Sequence, residues 1–308
     1  MTLQQLEYID AVHRFRHFAK AAEHCGVTQP TLSAMIQKLE TELDVKLFER
    51  SSQQVAPTSI GEVVVDQARK ILNEARRLRD LVNEERNSLS GTFRLGILPT
   101  IAPYLLPRFF PRLCEQHPEM DLRVVEMKTA EIKKSLAKGE IDAAILVSLD
   151  NDGNFDTTTL YFEQFFAYVS RGDALFSRKT IKTADLNNES LWLLDEGHCF
   201  RDQLVKFCNL KTARESKEAY TLGSIETFMR IVEGGRGVTF IPELALEQLN
   251  EQQRTLVRSF AMPIPTREIV LMTAGTFVRK SAREMLIGSI RSCVPQRMLK
   301  LNNTEQRI

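Results

Sequence analysis

The sequence predicts an α plus α/β protein, with an N-terminal winged helix-turn-helix, a long linker helix and a two-lobed α/β domain. Apolar residues between Leu3 and Leu39 recur at helical spacing around a glycine-containing turn. Apolar residues from Val64 to Val82 repeat at alternating steps of four and three, as in a coiled coil. Beyond Gly91 the pattern changes to strands that alternate with helices, which is the order of a parallel sheet.

The composition is that of an ordinary globular chain of 308 residues, 43% hydrophobic and 26% charged. No apolar run reaches about 18 residues, and residues 1–7 carry an acid and lack the apolar core of a signal peptide. We therefore expect a cytoplasmic protein of two or three domains without a membrane span. The net charge of +1 does not by itself indicate nucleic acid, so that assignment must rest on pattern.

The first three helices predict a helix-turn-helix. Residues 2–14 form an amphipathic pattern, and a second helix ends near Cys25, before a turn at Gly26. Thr28 is a favourable N-cap for a third helix, and Pro30 stands in its first turn, where proline is tolerated. We expect the buried stripe of that helix to consist of Leu32, Met35, Ile36 and Leu39.

The polar face of the third helix is the predicted DNA-reading surface. In this motif the N-terminal end of the second motif helix enters the major groove, where amides and hydroxyls can bond bases or phosphates. The alternative is a solvated face of a small helical domain, but the whole three-helix pattern favours DNA. The predicted contacts are Thr28, Gln29, Pro30, Thr31, Ser33, Gln37 and Lys38 on this helix, with Arg50 and Gln53 in the wing.

Residues 47–50 and 55–58 predict the two strands of that wing, in which Arg50 would contact the DNA backbone. Ser59 then caps a long helix that runs to about Asn87. A coiled-coil seam on this helix indicates dimerisation, although a lone amphipathic helix packed on its own core is the alternative. The seam consists of Val64, Ala68, Ile71, Ala75, Leu78 and Val82.

Strands are predicted at 93–98, 122–126 and 142–147, with helices between them. Ligand sites in parallel sheets lie at the carboxyl ends of strands, where Thr100 and Thr129 stand, the latter as a helix cap. The same order recurs from about 166 to 265, with strands at 192–194 and 238–241 and a helix at 225–233. A last strand at 268–273 and a helix at 280–290 could return to the first half.

These patterns divide the chain into a DNA-binding domain (1–58), a linker helix with a hinge (59–90) and an α/β domain (91–308). In the α/β domain we expect one lobe from 91–165 and 267–295, a second lobe from 166–266 and a tail at 296–308. A cleft between two such lobes suits a small molecule.

Together these residues resemble the LysR-type transcriptional regulators. The resemblance implies promoter DNA and RNA polymerase as partners, a dimer through the linker helix, a tetramer, and neither a cofactor nor an enzymatic activity. The matching residues are 18–22, 28–33, 36, 39–40, 43, 48–50, 58 and 61 near the N-terminus, and 235–238 and 241–242 in the α/β domain.

Two departures from the family pattern concern DNA affinity. Met35 stands where the family often has glutamine, and Gln53 and Gln54 stand where basic residues are common. Each phosphate contact that is lost makes the salt dependence of binding shallower by about one unit of slope.

The five cysteines include no Cys-x-x-Cys pair, which argues against a zinc site. For Cys25, Cys114 and Cys293 we expect small buried apolar side chains. Cys199 differs, because His198 and Arg201 lie beside it and a helix is predicted to start there. Both features favour the thiolate, which is the nucleophile toward peroxide.

The stretch from Gly197 to Cys208 resembles the peroxide-sensing branch of the LysR family. That resemblance implies that hydrogen peroxide oxidises Cys199 and that Cys208 resolves the product as a disulfide. The pocket residues that it implies are Thr100, Thr129, His198, Arg201 and Asp202. Arg267 is a further pocket candidate, for which a surface ion pair is the alternative.

Phe200, Leu204 and Phe207 have helical spacing, so we expect a helix between the two cysteines. Nine residues of helix would separate them by about 14 Å, whereas a disulfide needs Cα atoms within about 7 Å. Oxidation should therefore unwind this helix and, as a hypothesis, repack the α/β domains and rotate the recognition helices.

Three other functions compete with this interpretation. A LysR-type regulator of an organic metabolite would leave the cysteines idle. A thiol peroxidase is disfavoured by the helix-turn-helix and by the lack of Cys-x-x-Cys, and a solute-binding protein by the lack of a signal peptide.

Overall fold

The computed structural model describes residues 1–50, 55–86, 88–148, 153, 155–186, 191–194, 199–207, 224–235 and 237–308, without the side chains of Arg50, Cys199 and Asp202. Gln53, Gln54, His198 and Cys208 lie outside the described residues. The chain divides into two compact units, Met1–Arg86 (the N-terminal unit) and Asn87–Ile308 (the C-terminal unit).

The N-terminal unit contains the predicted helices and wing, with one shift of a cap. Thr58 is the N-cap of the linker helix in place of Ser59, because its Oγ1 accepts a hydrogen bond from the backbone N–H of Gly61 at 2.9 Å. A side chain at Gly61 would collide with the carbonyl oxygen of Leu47. The elements are α1 (Leu3–Phe15), α2 (Phe18–His24), α3 (Gln29–Leu43), β1 (Phe48–Arg50), β2 (Val55–Pro57) and α4 (Ser59–Glu85).

The residues of the predicted coiled-coil seam on α4 form two groups with different surroundings. Its first part, which includes Val64, Ala68 and Ile71, packs on the hydrophobic core of the helix-turn-helix. The core of the helix-turn-helix therefore already takes up part of the apolar face at these residues, and a seam with a second copy stays a prediction. Further along α4, Leu78 is 67% exposed and Val82 is 46% exposed, so this part retains an uncovered apolar face.

The C-terminal unit is built on a mixed sheet. Its strands are β3 (Gly91–Ile97), β4 (Met120–Glu126), β5 (Ala143–Val147), β6 (Phe155–Val169), β7 (Thr180–Ile181), β8 (Val238–Pro242), β9 (Val257–Phe260), β10 (Ile264–Ala274) and β11 (Glu305–Arg307). Its helices are α5 (Ala102–Gln116), α6 (Thr129–Lys138), α7 (Cys199–Phe207), α8 (Ile225–Glu233), α9 (Glu251–Arg254) and α10 (Lys280–Cys293).

The strand order is β4-β3-β5-β10-β6-β9-β7, with β8 also paired to β6 and β11 to β10. The strands β3, β4 and β5 are parallel, as predicted. The expectation of a wholly parallel sheet is wrong, because β10 returns between β5 and β6 and runs antiparallel to both. The strand predicted at 192–194 is also wrong, because the described residues 192–194 have no strand assignment and only Leu191 forms a bridge, to Val238.

The long strand β6 connects the two halves of the sheet. Its first part, Phe155 to Gln164, pairs with β10, and its last part, Phe165 to Val169, pairs with β8. Glu163 and Phe165 therefore lie where the two halves meet, next to the start of β10. Among the described residues, no helix combines the length and the apolarity that a membrane span requires.

Candidate functional site

The turn between α2 and α3 has the geometry of a helix-turn-helix. Gly26 adopts a positive φ of 67°, which glycine reaches without strain. The backbone N–H of Val27 donates to the carbonyl of Ala22 at 3.0 Å and closes the turn. Thr28 caps α3 as predicted, since its Oγ1 accepts from the backbone N–H of Thr31. The two hydroxyls of Thr28 and Thr31 also share a hydrogen bond of 2.9 Å.

The structure brings the predicted DNA contacts of α3 to one surface, with one exception. Ser33 is half-buried. Arg50 is placed by its backbone in β1, and Gln53 lies outside the described residues. The exposed contacts are Thr28, Gln29, Pro30, Thr31, Gln37 and Lys38.

Glu40 is a structural support of this surface that composition and spacing did not reveal. Its carboxylate is buried and accepts hydrogen bonds from the backbone N–H groups of Leu47, at 2.7 Å, and Phe48, at 3.3 Å. The carboxylate thereby joins α3 to the first wing strand. In the sequence, Glu40 was marked only by its match to the LysR-type pattern.

In the C-terminal unit, Arg267 is a buried cation and not a surface ion pair. It is 1% exposed. It lies within β10, because this strand begins at Ile264, before the start predicted at 268. Its guanidinium pairs with the equally buried Glu163, with a shortest N–O distance of 2.7 Å. It also donates to Oγ1 and the carbonyl of Thr100, at 3.2 and 3.0 Å. Thr100 and Arg267 are thus brought together as one hydrogen-bonded cluster.

Two aromatic rings that touch each other also contact this cation. The guanidinium carbon lies 5.6 Å from the ring centre of Phe165 and 5.2 Å from that of Phe200, and the two rings meet edge to face at 4.9 Å. Cation–aromatic contacts of this kind are strong where water is excluded. Phe200 is the second residue of α7, so the helix that begins at Cys199 packs directly on the buried cluster.

Burial raises the pKa of the Tyr161 hydroxyl well above its ordinary value, and the charge of Glu163 raises it further. The tyrosine therefore remains protonated at neutral pH. Its hydroxyl is buried without a hydrogen-bond partner among the described residues. Arg267 and Glu163 are each 1% exposed, so their charges act over longer distances than they would in water.

The helix α7 is described from Cys199 to Phe207. Cys199 is placed by its backbone only, as is Asp202, and Arg201 is half-buried. A helix N-terminus carries partial positive charge, which favours the thiolate form of a cysteine. His198 and Cys208 lie outside the described residues, so their positions in the pocket stay predictions.

Thr129 is the first residue of α6 and does not cap it, because Lys128 takes the cap position with extended backbone. Its Oγ1 is buried and has no hydrogen-bond partner among the described residues. A buried hydroxyl in that situation is a free donor and acceptor.

The prediction for Cys114 is wrong, since this residue is exposed on α5, whereas Cys25 and Cys293 are half-buried.

Comparisons with known proteins agree with this architecture. Residues 3–62 match the family described as bacterial regulatory helix-turn-helix protein, lysR family, and residues 86–290 match the LysR substrate binding domain. The chain belongs to the LysR family of bacterial regulators, and this membership supports the expectation that it is not an enzyme.

Individual relatives and solved structures are also similar to this chain. A Dickeya chrysanthemi protein named hydrogen peroxide-inducible genes activator is 33% identical, over 98% of this chain and 99% of its own length. A full-length OxyR variant from Pseudomonas aeruginosa is 35% identical with a TM-score of 0.74, over 96% of this chain and 99% of that one. OxyR from Porphyromonas gingivalis is 47% identical with a TM-score of 0.67, over 71% of this chain and 99% of that one.

Proposed function

We propose that this chain is a peroxide-responsive transcriptional regulator like the OxyR proteins that it resembles. It binds promoter DNA through α3 and the wing, and hydrogen peroxide controls that binding through Cys199. The observation that supports the proposal most is the position of Cys199 at the start of α7, one residue before the ring that packs on Arg267. A thiol at the start of a helix lies near partial positive charge, which favours the thiolate.

The chemistry takes two steps. The Cys199 thiolate attacks one oxygen of hydrogen peroxide, the O–O bond breaks, and the departing hydroxide takes up a proton as water, which leaves a sulfenic acid. The Cys208 thiol then attacks the sulfenic sulfur, and a second water leaves as the disulfide forms. Two cysteine thiols are oxidised, and one peroxide is reduced to two waters.

The residues proposed for the pocket have separate tasks. Thr100 is held by Arg267, and the unpartnered hydroxyl of Thr129 is free to bond a peroxide oxygen. His198, Arg201 and Asp202 are proposed to orient peroxide and to move its proton, because all three flank Cys199 in sequence.

Disulfide formation requires a change in α7. The described helix spans nine residues, and at about 1.5 Å per residue its ends lie roughly 12 Å apart. A disulfide needs Cα atoms within about 7 Å. The helix must therefore unwind, which would also separate Phe200 from Arg267 and so carry the signal into the sheet.

Binding to a two-fold symmetric promoter site requires two copies of the helix-turn-helix. The uncovered apolar residues Leu78, Leu81 and Val82 of α4 support the proposal of a dimer through the linker helix. A tetramer and contact with RNA polymerase are further proposals, drawn from the family. A cytoplasmic location and domain boundaries at 58/59 and 90/91 are proposals drawn from the sequence pattern.

A footprinting comparison of the wild type with Cys199→Ser tests the proposal. We expect peroxide to change the wild-type footprint on its own promoter DNA and to leave the variant's footprint unchanged. Cys114→Ser is the matched control, because Cys114 is an exposed cysteine of the same unit, and it should respond like the wild type. A response that survives Cys199→Ser would contradict the proposal.

A further inference from the structure

Residues 305–308, which we call the strap, add a short strand to the sheet beside the buried cluster. The strand β11 pairs in parallel with the start of β10, where Ile264 lies opposite Glu305 and Thr266 lies opposite Arg307. The strand β5 pairs with β10 only from Ile269 onward. The strap therefore occupies the position along β10 that β5 leaves open.

Hydrogen bonds and an ion pair attach the strap on both sides of Arg267. The backbone N–H of Ile308 donates to the carbonyl of Thr266 at 3.1 Å. The guanidinium of Arg307 pairs with Glu268 at 2.8 Å and donates to Ser148 at 3.0 Å. Thr266 and Glu268 are the two neighbours of Arg267 in β10, so the strap holds the strand at the residues that flank the buried cation.

The strap also contacts the cysteine helix. Gln203 of α7 is 8% exposed, and its side-chain N–H donates to the main-chain oxygen of Ile308 at 2.6 Å. Ile308 packs its side chain against the same hydrophobic core as Phe200. The backbone of Ile308 thus bridges α7 and β10, since its oxygen accepts from Gln203 and its N–H donates to Thr266.

We propose that the strap holds α7 in its helical, dithiol form and is released when the disulfide forms, with Gln203 as the positioning residue. The inference rests on the proposed Cys199–Cys208 disulfide. Unwinding of α7 removes Gln203 from Ile308, and the strap then loses one of its anchors. Conversely, an intact strap stabilises the helix and opposes oxidation. The strap thereby sets how strongly oxidising the surroundings must be before the two cysteines form a disulfide.

A thiol–disulfide equilibrium measures this effect. In a glutathione buffer the protein dithiol and oxidised glutathione give the protein disulfide and two reduced glutathione molecules, so the hydrogens and electrons balance. Removal of one buried hydrogen bond should raise the equilibrium constant for oxidation on the order of 5-fold. The variants are Gln203→Leu and a chain that lacks residues 305–308. Gln248→Leu is the matched control, because its side-chain N–H also donates to a backbone carbonyl, that of Pro103, at 3.1 Å.

Gln203→Leu in the chain that lacks residues 305–308 distinguishes loss of the strap contact from other effects of leucine at position 203. If Gln203 acts through the strap, Gln203→Leu should change the equilibrium constant in the full chain about 5-fold more than in the chain without residues 305–308. An equal effect of Gln203→Leu in both backgrounds would overturn the proposal. If the wild type forms no Cys199–Cys208 disulfide, the proposed function and the strap both fail, whereas a disulfide without coupling overturns only the strap.

Hydrogen exchange gives a second readout in the unmutated chain. The backbone N–H of Ile308 should be protected in the reduced protein, because it is bonded to Thr266. Peroxide should speed its exchange by at least about tenfold in the wild type and leave it unchanged in Cys199→Ser. Equal protection in the reduced and oxidised wild type would refute release of the strap.

Discussion

The Phe200 ring lies 5.2 Å from the guanidinium carbon of Arg267, so α7 and β10 meet one residue after Cys199. The same guanidinium is bonded to Glu163 and Thr100. Movement of α7 must therefore change the surroundings of a buried charge. This contact couples the proposed chemistry at Cys199 to the packing of the sheet.

Arg267→Ala should strongly destabilise the protein, because it leaves the carboxylate of Glu163 buried and unpaired. The expected loss in the free energy of unfolding is about 3–5 kcal/mol, measured by urea denaturation of the reduced protein. Glu163→Gln in the same chain should restore part of that loss, since it removes the uncompensated charge. Strictly additive effects of the two substitutions would contradict the role assigned to the pair.

Glu40→Leu should destabilise the N-terminal unit, since it leaves two backbone N–H groups, of Leu47 and Phe48, without their acceptor. Loss of hydrogen bonds to a buried charged group costs about 1.5–3 kcal/mol, and thermal unfolding would measure it. Glu42→Leu, on the exposed side of the same helix, should cost less than about 1 kcal/mol. Equal losses in the two variants would show that burial of Glu40 has no energetic role.

Much of the N-terminal unit could be predicted because its signals are local. Thr28, Gly26 and the wing strands each depend on a few neighbouring residues, and all three occur as expected. The cap moved by one residue at Thr58 and at Lys128, since adjacent residues at a helix start compete for the cap on small differences in backbone angle.

The pocket was less predictable because its partners are distant in sequence. Glu163 and Arg267 are 104 positions apart, and nothing near either residue indicates that the other will bury it. The same holds for Gln203 and Ile308, which are separated by 105 positions. Pairing of β10 with β6 creates the first contact, and pairing of β11 with β10 places Ile308 for the second. Periodicity within single segments does not specify strand order.

Lys38→Gln should weaken DNA binding at all sequences if this exposed lysine contacts a phosphate. The slope of the logarithm of affinity against the logarithm of salt concentration should fall by about one unit, which fluorescence anisotropy in a salt series would measure. Lys179→Gln, on the C-terminal unit, should keep the wild-type slope. An unchanged slope for Lys38→Gln would remove this residue from the interface.

Glu62→Gln should lower stability at neutral pH and have no effect in acid. The hydrogen bond from His13 holds the pKa of the Glu62 carboxyl below its ordinary value of 4.5. A lowered folded pKa contributes stability that is present above the unfolded pKa and is lost as pH falls through the folded value. The unfolding curves of the two proteins should converge below that pH, and a difference that persists unchanged in strong acid would contradict this assignment.

Mass spectrometry of the peptides that contain Cys199 and Cys208, before and after one equivalent of hydrogen peroxide, tests the central claim most directly. The account predicts free thiols in the reduced protein and a Cys199–Cys208 disulfide after peroxide, with Cys25, Cys114 and Cys293 still reduced. A chain that changes its DNA footprint with peroxide while Cys199 and Cys208 remain unlinked would contradict it.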